Sequence, residues 1–431
     1  MAVRDYALLY RRYLVVGLIA VVVLTVAAAW LAFTLLSPTP PRSIAMATDP
    51  AGSISAELGK RYQEHLARNG IEVRLVPSVG AVENVARLRD PKSGISVSII
   101  PSGITNQQQS PDLVSLGTLF YEPIWLFYRG RIETYRGLHG LRISVGPEGS
   151  GTHAMSVELL ARIGIIQHNA ELLPLTPETA AEKLVQGEIN AAVLLAAWES
   201  PVVRRLLAAQ DITLASVRRA DAFVSLYPFL SKVVLPAGVG DMVKNRPPTD
   251  VTLIAPKASL IVRNDLHPAI QYLLLEAATE IHAGPGMFRK AGQFPAPESI
   301  DLPLSSDAHR FYKVGPPFLQ RHLPFWLAVL AQQLLVLLIP VLAVLYPMLK
   351  FLPAVYGWAM RRRVFRLYNE LKRLEDRLNS LAADESRADL ITRLDRLEDR
   401  ASRFRLPSAF RPLLYTLRVH ISLVRQRLQK Q

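Results

Sequence analysis

The chain has no cysteine in 431 residues. That excludes a disulfide framework, Cys-ligated metal and thiolate chemistry. No H-E-x-x-H and no G-x-S-x-G occurs, and none of the nine His stands at metal-ligand spacing from another. Ser150 and His153 lie three apart at a helix start with no orienting acid indicated, so no catalytic constellation is assembled. These absences predict a protein that is not an enzyme and that holds no metal and no cofactor. Charge is also missing, from two long stretches. Residues 14–36 and 323–349 carry no Asp, Glu, Lys or Arg.

About 20 apolar residues cross a bilayer, so each stretch reads as a transmembrane helix. Arg4, Arg11 and Arg12 precede the first, and Lys350 and Arg361–Arg363 follow the second. The positive-inside bias then puts both termini in the cytoplasm. A cleaved signal peptide competes for the first stretch, with Ala27–Ala29 as its small-residue site, but the apolar run continues through Trp30 and Leu31. The net charge of +14 sits mainly at the ends: residues 361–431 hold 18 Lys/Arg against 9 Asp/Glu. The large middle segment is nearly neutral. Pro340 should kink the second run, and Gln332 and Gln333 interrupt its apolar surface.

Between the two runs, from Pro38, Pro40 and Pro41 onwards, strand-like and helix-like pieces alternate, which predicts an α/β domain over 42–322. The stretch Leu141–Ile163 carries most information. Leu141, Ile143 and Val145 alternate with polar residues as in a strand; Gly146, Pro147, Gly149 and Gly151 make a turn; an apolar helical face begins near Ala154. Strand, glycine turn and helix together leave backbone N–H groups at a helix N-terminus, where the macrodipole favours an anion such as a carboxylate. Ser150 and Thr152 add hydroxyl donors. The alternative is a plain βα turn, since the pattern matches neither G-x-G-x-x-G nor a P-loop.

Four segments resemble the TAXI family, the solute-binding proteins of one branch of the TRAP transporters. They are IAMATDPAGSIS from Ile44, VPSVGAVENVARLR from Val76, VGPEGSGTHAMSVELLARIGI from Val145, and AAEKLVQGEINAAV from Ala180. Their order covers roughly residues 43–300. Two departures stand out: the strand near Ser96 lacks the family's acidic residue, and Asn190 replaces a common Asp. The resemblance implies a bilobed periplasmic binding protein type II fold, with the chain crossing at Leu116–Tyr128, a second lobe at about 129–217, and a return at Phe223–Leu235 through Pro228. Residues 251–262 read as a strand pair divided by Pro256.

The resemblance further implies that loops ring a ligand. The candidates are Ala51, Gly52 and Ser53; Gly80, Glu83 and Asn84; Ser102; Gly149, Ser150, Gly151, Thr152 and His153; and Trp198 with Glu199. Each has a plainer role open to it, as cap, core aromatic or solvated charge. Tyr121 and Glu122 at the crossing can either close the cleft or serve the fold.

After Arg366, Leu367, Leu371, Leu374, Leu378 and Leu381 step by four and three, as do Leu390, Leu394, Leu397, Ala401 and Phe404. Residues 361–431 are expected to form a cytoplasmic coiled coil or helical hairpin, open to self-association. Its arginines suit anionic lipid or a solvated face, and no nucleic acid is expected as a partner.

The whole is read as a protein of the bacterial inner membrane, tethered by two spans. It would capture a small anionic solute, a carboxylate or an amino acid, in the periplasm for a TRAP-type permease. The alternative is a transmembrane sensor or scaffold that signals through its cytoplasmic tail.

Overall fold

The computed structural model describes residues 39–132, 134–316, 318–379, 387–403 and 410–430, with a few positions between 23 and 31. The first charge-free run therefore lies almost wholly outside the described residues. The chain forms two units: Thr39–Ala331, and Gln332–Gln431 together with Met1–Pro38.

The larger unit begins with β1 (Ser43–Thr48), α1 (Ile54–Arg68), β2 (Glu72–Pro77), α2 (Ala81–Arg89), β3 (Ile95–Pro101) and β4 (Leu113–Tyr121). β1 pairs in parallel with β2 and β3, matching Ile44 with Val73 and Met46 with Val97. A strand covered on both faces reads as a continuous apolar run. Met46 accordingly packs towards α1, with Leu58, Tyr62 and Leu66. Ala45 and Ala47 pack towards α2, with Val85 and Leu88.

At Pro123 the chain leaves this sheet. β5 (Ile124–Arg129) enters a second one, followed by β6 (Arg142–Ser144), α3 (Gly151–Arg162), β7 (Glu171–Leu173), α4 (Pro177–Gln186), β8 (Ala191–Leu195), α5 (Pro201–Ala208), β9 (Ile212–Leu214) and α6 (Ala220–Leu226). The strand order is β7-β6-β8-β5-β9. Trp125 and Phe127 fill one face with Leu184, Leu194 and Leu206. Ile143, Val145, Met155 and Leu160 fill the other.

The return follows the expectation: α6 is followed by β10 (Leu230–Leu235), which joins the first sheet at the end of the order β10-β11-β3-β1-β2. Its Val233 and Leu235 pack on the Trp125–Phe127 core. Residues 251–262, in contrast, are not a strand pair. β11 (Val251–Arg263) is one strand of 13 residues. Its first half pairs with β10, up to Leu230 opposite Pro256, and its second half pairs with both β3 and β4. Proline is tolerated where its missing N–H is not required; Pro256 contributes its carbonyl, which accepts the Glu122 N–H at 3.0 Å. α7 (Pro268–His282) then packs on the β1 sheet beside α1, placing Ile270, Leu273 and Leu274 in the same core. α8 (Ser306–Val314) and α9 (Phe318–His322) complete the unit up to the start of α10 (Phe325–Asn379).

Among the described residues, no helix is long and apolar enough to cross a membrane. The second charge-free run lies on α10, and several of its side chains fall outside those described. Of those that are described, Leu330, Leu334, Leu338 and Leu342 are about half exposed.

The tail is helical, as expected, with its helices packed within the chain. The C-terminal part of α10, α11 (Arg387–Ser402) and α12 (Arg411–Lys430) bury their stripes against one another in one chain. Val364, Leu367, Leu371, Leu390, Leu394, Leu397, Leu417, Ile421 and Val424 form a single core. The heptad-like spacing was real, but two heptads per segment serve a three-helix bundle equally well. Arg400–Glu370 and Arg427–Glu375 tie its surface at 2.7 and 3.1 Å. Such exposed pairs contribute at most about 1 kcal/mol each.

Candidate functional site

β1, β3 and β4 run in the same direction, so Asp49, Ser102 and Glu122 all emerge at one edge of the first sheet. That edge faces the second lobe across the two crossings. Asp49 opens the first loop, and its N–H meets Ser55 Oγ at 3.5 Å. Ser53 caps α1 by accepting the Ala56 N–H at 3.2 Å, while Ala51 and Gly52 form the exposed tip. In the second loop Ser78 Oγ donates to Thr48 O and accepts the Gly80 N–H, both at 3.1 Å. Glu83 accepts the Val79 N–H at 2.7 Å and pairs with Arg87. Its carboxylate is held below the usual range chiefly by that backbone donor.

The glycine turn before α3 forms as a strand, turn and helix, but its hydroxyls are engaged locally. Ser150 Oγ donates to Pro147 O at 2.6 Å and accepts the His153 N–H at 3.1 Å as N-cap. His153 Nδ1 donates to Gly146 O at 3.0 Å, and Thr152 Oγ1 accepts the Leu195 N–H at 3.4 Å. Among the described residues, no acceptor meets the N–H groups of Gly151 and Thr152. The two lobes touch here: Gly149 O accepts the N–H groups of Val82 and Glu83 at 3.2 and 3.3 Å. A Cβ on Gly80, whose φ is +153°, would lie 2.8 Å from Ser150 Cα.

A cavity of about 110 Å³ is lined by Glu57, Arg61 and Phe120 of the first lobe, Glu199 of the second, and His282 and Arg289. His282 is 2% exposed and stacks on Phe120 with centroids 5.7 Å apart. Its Nε2 has no hydrogen-bond partner. Burial, then the charges of Arg289 and Arg61, push its pKa down to about 3, so the ring is neutral.

Two carboxyls follow directly on strands of the first sheet, Asp49 after β1 and Glu122 after β4. Glu122 is 9% exposed and Asp49 half-buried; neither forms an ion pair among the described residues. Burial and then the Asp49 charge push Glu122 up to about 8. Burial raises Asp49 to about 6 against the opposing hydrogen bond from Asn84. Asn84 Nδ2 donates to Asp49 Oδ1 at 3.1 Å, while Asn84 Oδ1, fully buried, has no partner.

The model of the NMT1-like family matches residues 52–313. The chain belongs to the NMT1-like family. Its larger unit is α/β, mixed sheets covered by helices. Among solved structures, it is similar to the aliphatic sulphonate binding protein SsuA of Escherichia coli. Identity is 14%, covering 72% of this chain and 83% of that one, at a TM-score of 0.36. It is also similar to an arginine-specific periplasmic binding protein of Salmonella typhimurium, at 11% identity over 57% and 95% of the two chains and a TM-score of 0.37.

Of the sequence candidates in this NMT1-like chain, the structure brings Gly80, Glu83 and Gly149–Gly151 together at the lobe contact. Asn84 lies beside Asp49, and Glu199 lines the cavity. Ala51 and Gly52 stay at the tip. Ser102 Oγ donates to Lys257 O at 2.9 Å. Trp198 packs on Trp125, centroids 6.4 Å apart, in the second lobe's core. Asn190 ties strands together by accepting the Arg142 N–H at 2.9 Å. Sequence reasoning passed over Asp49, Arg61, His282 and Arg289. One signal was available for the acids: Asp49-Pro50 and Glu122-Pro123 each place a carboxylate directly before the proline that stops a strand. Among the described residues, no group of three His, Asp or Glu is arranged to hold a metal.

Proposed function

We propose that this NMT1-like chain is a membrane-tethered periplasmic solute-binding protein of the TAXI type. It captures a small anionic solute between its lobes and delivers it to a TRAP-type permease of the inner membrane. The observation that carries the reading is the interlobe edge. There, the loops at Ala51–Ser53, Gly80–Asn84, Ser102, Gly149–His153 and Trp198–Glu199 come from both lobes, and the N–H groups of Gly151 and Thr152 remain uncommitted for an anion. A cavity in the same unit brings Arg61 and Arg289 together with Glu57 and Glu199, two cations beside two carboxylates. The four motifs quoted above support the TAXI assignment. Two charge-free runs with basic flanks, and the half-exposed leucines of α10, support a tether with both termini in the cytoplasm.

A second reading, a transmembrane sensor, draws on the tail. A carrier has no need of a separate helical module with its own core, and residues 361–430 have one. The test is a thermal-shift screen of the full chain in detergent against amino acids, dicarboxylates, keto acids and sulfonates. A ligand at 100 times its dissociation constant adds about 2.7 kcal/mol. A stabilising organic anion whose effect is lost in Thr152→Pro, which removes one uncommitted N–H, supports capture. No stabilisation by any anion refutes it. Deleting residues 361–431 separates carrier from sensor: uptake that survives favours the former, and a lost transcriptional response favours the latter.

A further inference from the structure

A tether alone does not fix which face of the larger unit meets the bilayer. Resting on the tether proposed above, we infer that the first lobe is seated on the periplasmic leaflet through a lipid-binding patch of its own. Val314 and Phe318 enter the leaflet, and Arg42 and Trp326 stand at headgroup level. Arg42 follows the end of the first charge-free run by six residues, and its carbonyl accepts the Glu72 N–H at 2.8 Å where β1 and β2 begin. Trp326 lies at the start of the second run, on α10, whose Phe325 and Val329 are buried in the first lobe's core. The Arg42 guanidinium lies over the Trp326 ring, 5.8 Å from its centroid. The two runs therefore reach the lobe at one place. Six residues of chain extend at most about 20 Å, so with both runs in the bilayer this place lies no further than that from it.

The segment that leads into this place presents apolar side chains to water. Val314 is 77% exposed and Phe318 76%, both ahead of the charge-free run. α9 rises about 1.5 Å per residue and the chain after it about 3.5 Å, which keeps Phe318 within about 20 Å of Trp326. This exposure does not come from a loose end. α8 turns Ala308, Phe311 and Tyr312 inward, Tyr312 donates to Leu116 O at 3.0 Å, and the Gly315 N–H closes the helix on Phe311 O at 2.7 Å. Arg310 and Lys313, one turn and one residue before Val314, are exposed as well. Scattered exposed apolar residues are ordinary. Aromatic and aliphatic side chains with a basic rim, at the point where two apolar runs converge, make an interfacial segment: rings sit among the headgroups and cations meet the phosphates. Lipid is the occupant that chain length brings to this patch, and the basic rim matches anionic headgroups.

The chain has no cysteine, so single cysteines can carry spin labels without background. Val314→Cys and Phe318→Cys are labelled in the full chain, in nanodiscs of equal parts phosphatidylethanolamine and phosphatidylglycerol. Leu338→Cys reports on the second run, and Met242→Cys, 85% exposed in the loop after β10, reports on water. Power saturation compares collisions with oxygen, which concentrates in lipid, and with a nickel chelate, which stays in water. The expected oxygen-to-nickel ratio at Val314 and Phe318 is several-fold above that at Met242 and approaches that at Leu338, with melting temperatures unchanged because both side chains are exposed. A ratio at either one equal to that at Met242, with a lipid-like ratio at Leu338, overturns the seat and leaves the tether standing. Few collisions with either probe at Val314 and Phe318 would mean that protein covers them, a second copy or another chain, and also overturns it. Water-like ratios at all of these positions remove the seat and the tether together.

Discussion

Replacing Glu122 by Gln should stabilise the protein at alkaline pH and flatten the dependence of its stability on pH. The carboxyl is pushed from 4.5 to about 8, first by burial and then by the Asp49 charge. An acid whose folded-state pKa is raised binds its proton more tightly when folded. Its contribution is intact below about pH 4.5 and is lost as pH rises through 8. At about 1.4 kcal/mol per pH unit, the full loss approaches 5 kcal/mol. Asp49 acts in the same direction over a narrower window, from 3.8 to about 6. Gln keeps the shape of the side chain and never ionises. For a domain of this size, roughly 2 °C accompanies each kcal/mol. Differential scanning fluorimetry in detergent should therefore show the wild type losing on the order of 8 °C between pH 5 and pH 8.5, and Glu122→Gln losing less than half of that. Parallel curves for the two proteins would refute the claim that Glu122 is a desolvated acid without a cationic partner.

His282 should show the opposite slope. Its pKa is lowered from 6.5 to about 3, so it withdraws stability as pH falls below 6.5. His282→Phe should relieve about 3 kcal/mol of that loss at pH 4.5, read as a smaller acid shift in melting temperature; an unchanged acid limb would sink the argument. Gly80→Ala drives a Cβ into the Ser150 backbone at 2.8 Å, which cannot yield cheaply. An overpacking cost of about 1–3 kcal/mol should appear as a melting drop of a few degrees and weaker solute binding; wild-type values for both would show that the lobe contact is dispensable. Leu394→Asp buries a charge in the tail core, where Leu394 is 1% exposed. An unpaired buried charge costs several kcal/mol, so limited trypsin digestion of the full chain should cut at Arg393 and Arg396 first, while 39–331 stays resistant. Unchanged cleavage would show that the bundle does not hold.

The sequence exposed the elements whose periodicity and punctuation agree. β1, α1, α3 and the turn between β6 and α3 follow directly from apolar alternation, glycine breaks and serine caps. β11 was misread because proline is a local signal, whereas tolerance of Pro256 depends on where its neighbour β10 ends, a long-range fact. The tail was read as helical, as it is, but leucine spacing states that a stripe is buried without stating against what; here the partner is the same chain. Ser150 was singled out for its hydroxyl, but a serine before a helix has a capping role that outcompetes any ligand for the same oxygen. Asp49 was hidden for a related reason, and Glu122, though singled out at the crossing, gave no sign of its burial: each is an ordinary acid in its local context, and only the fold removes water from it.

β11 has a mechanical consequence. One of the two connections between the lobes is an unbroken 13-residue ribbon, bonded to β10 in its first half and to β3 and β4 in its second. A door swings on a pin; a leaf spring flexes along its length. Here any change in the angle between the lobes has to be absorbed as twist shared along hydrogen-bonded rungs. The restoring force therefore rises steadily with amplitude, and no single residue acts as the pivot.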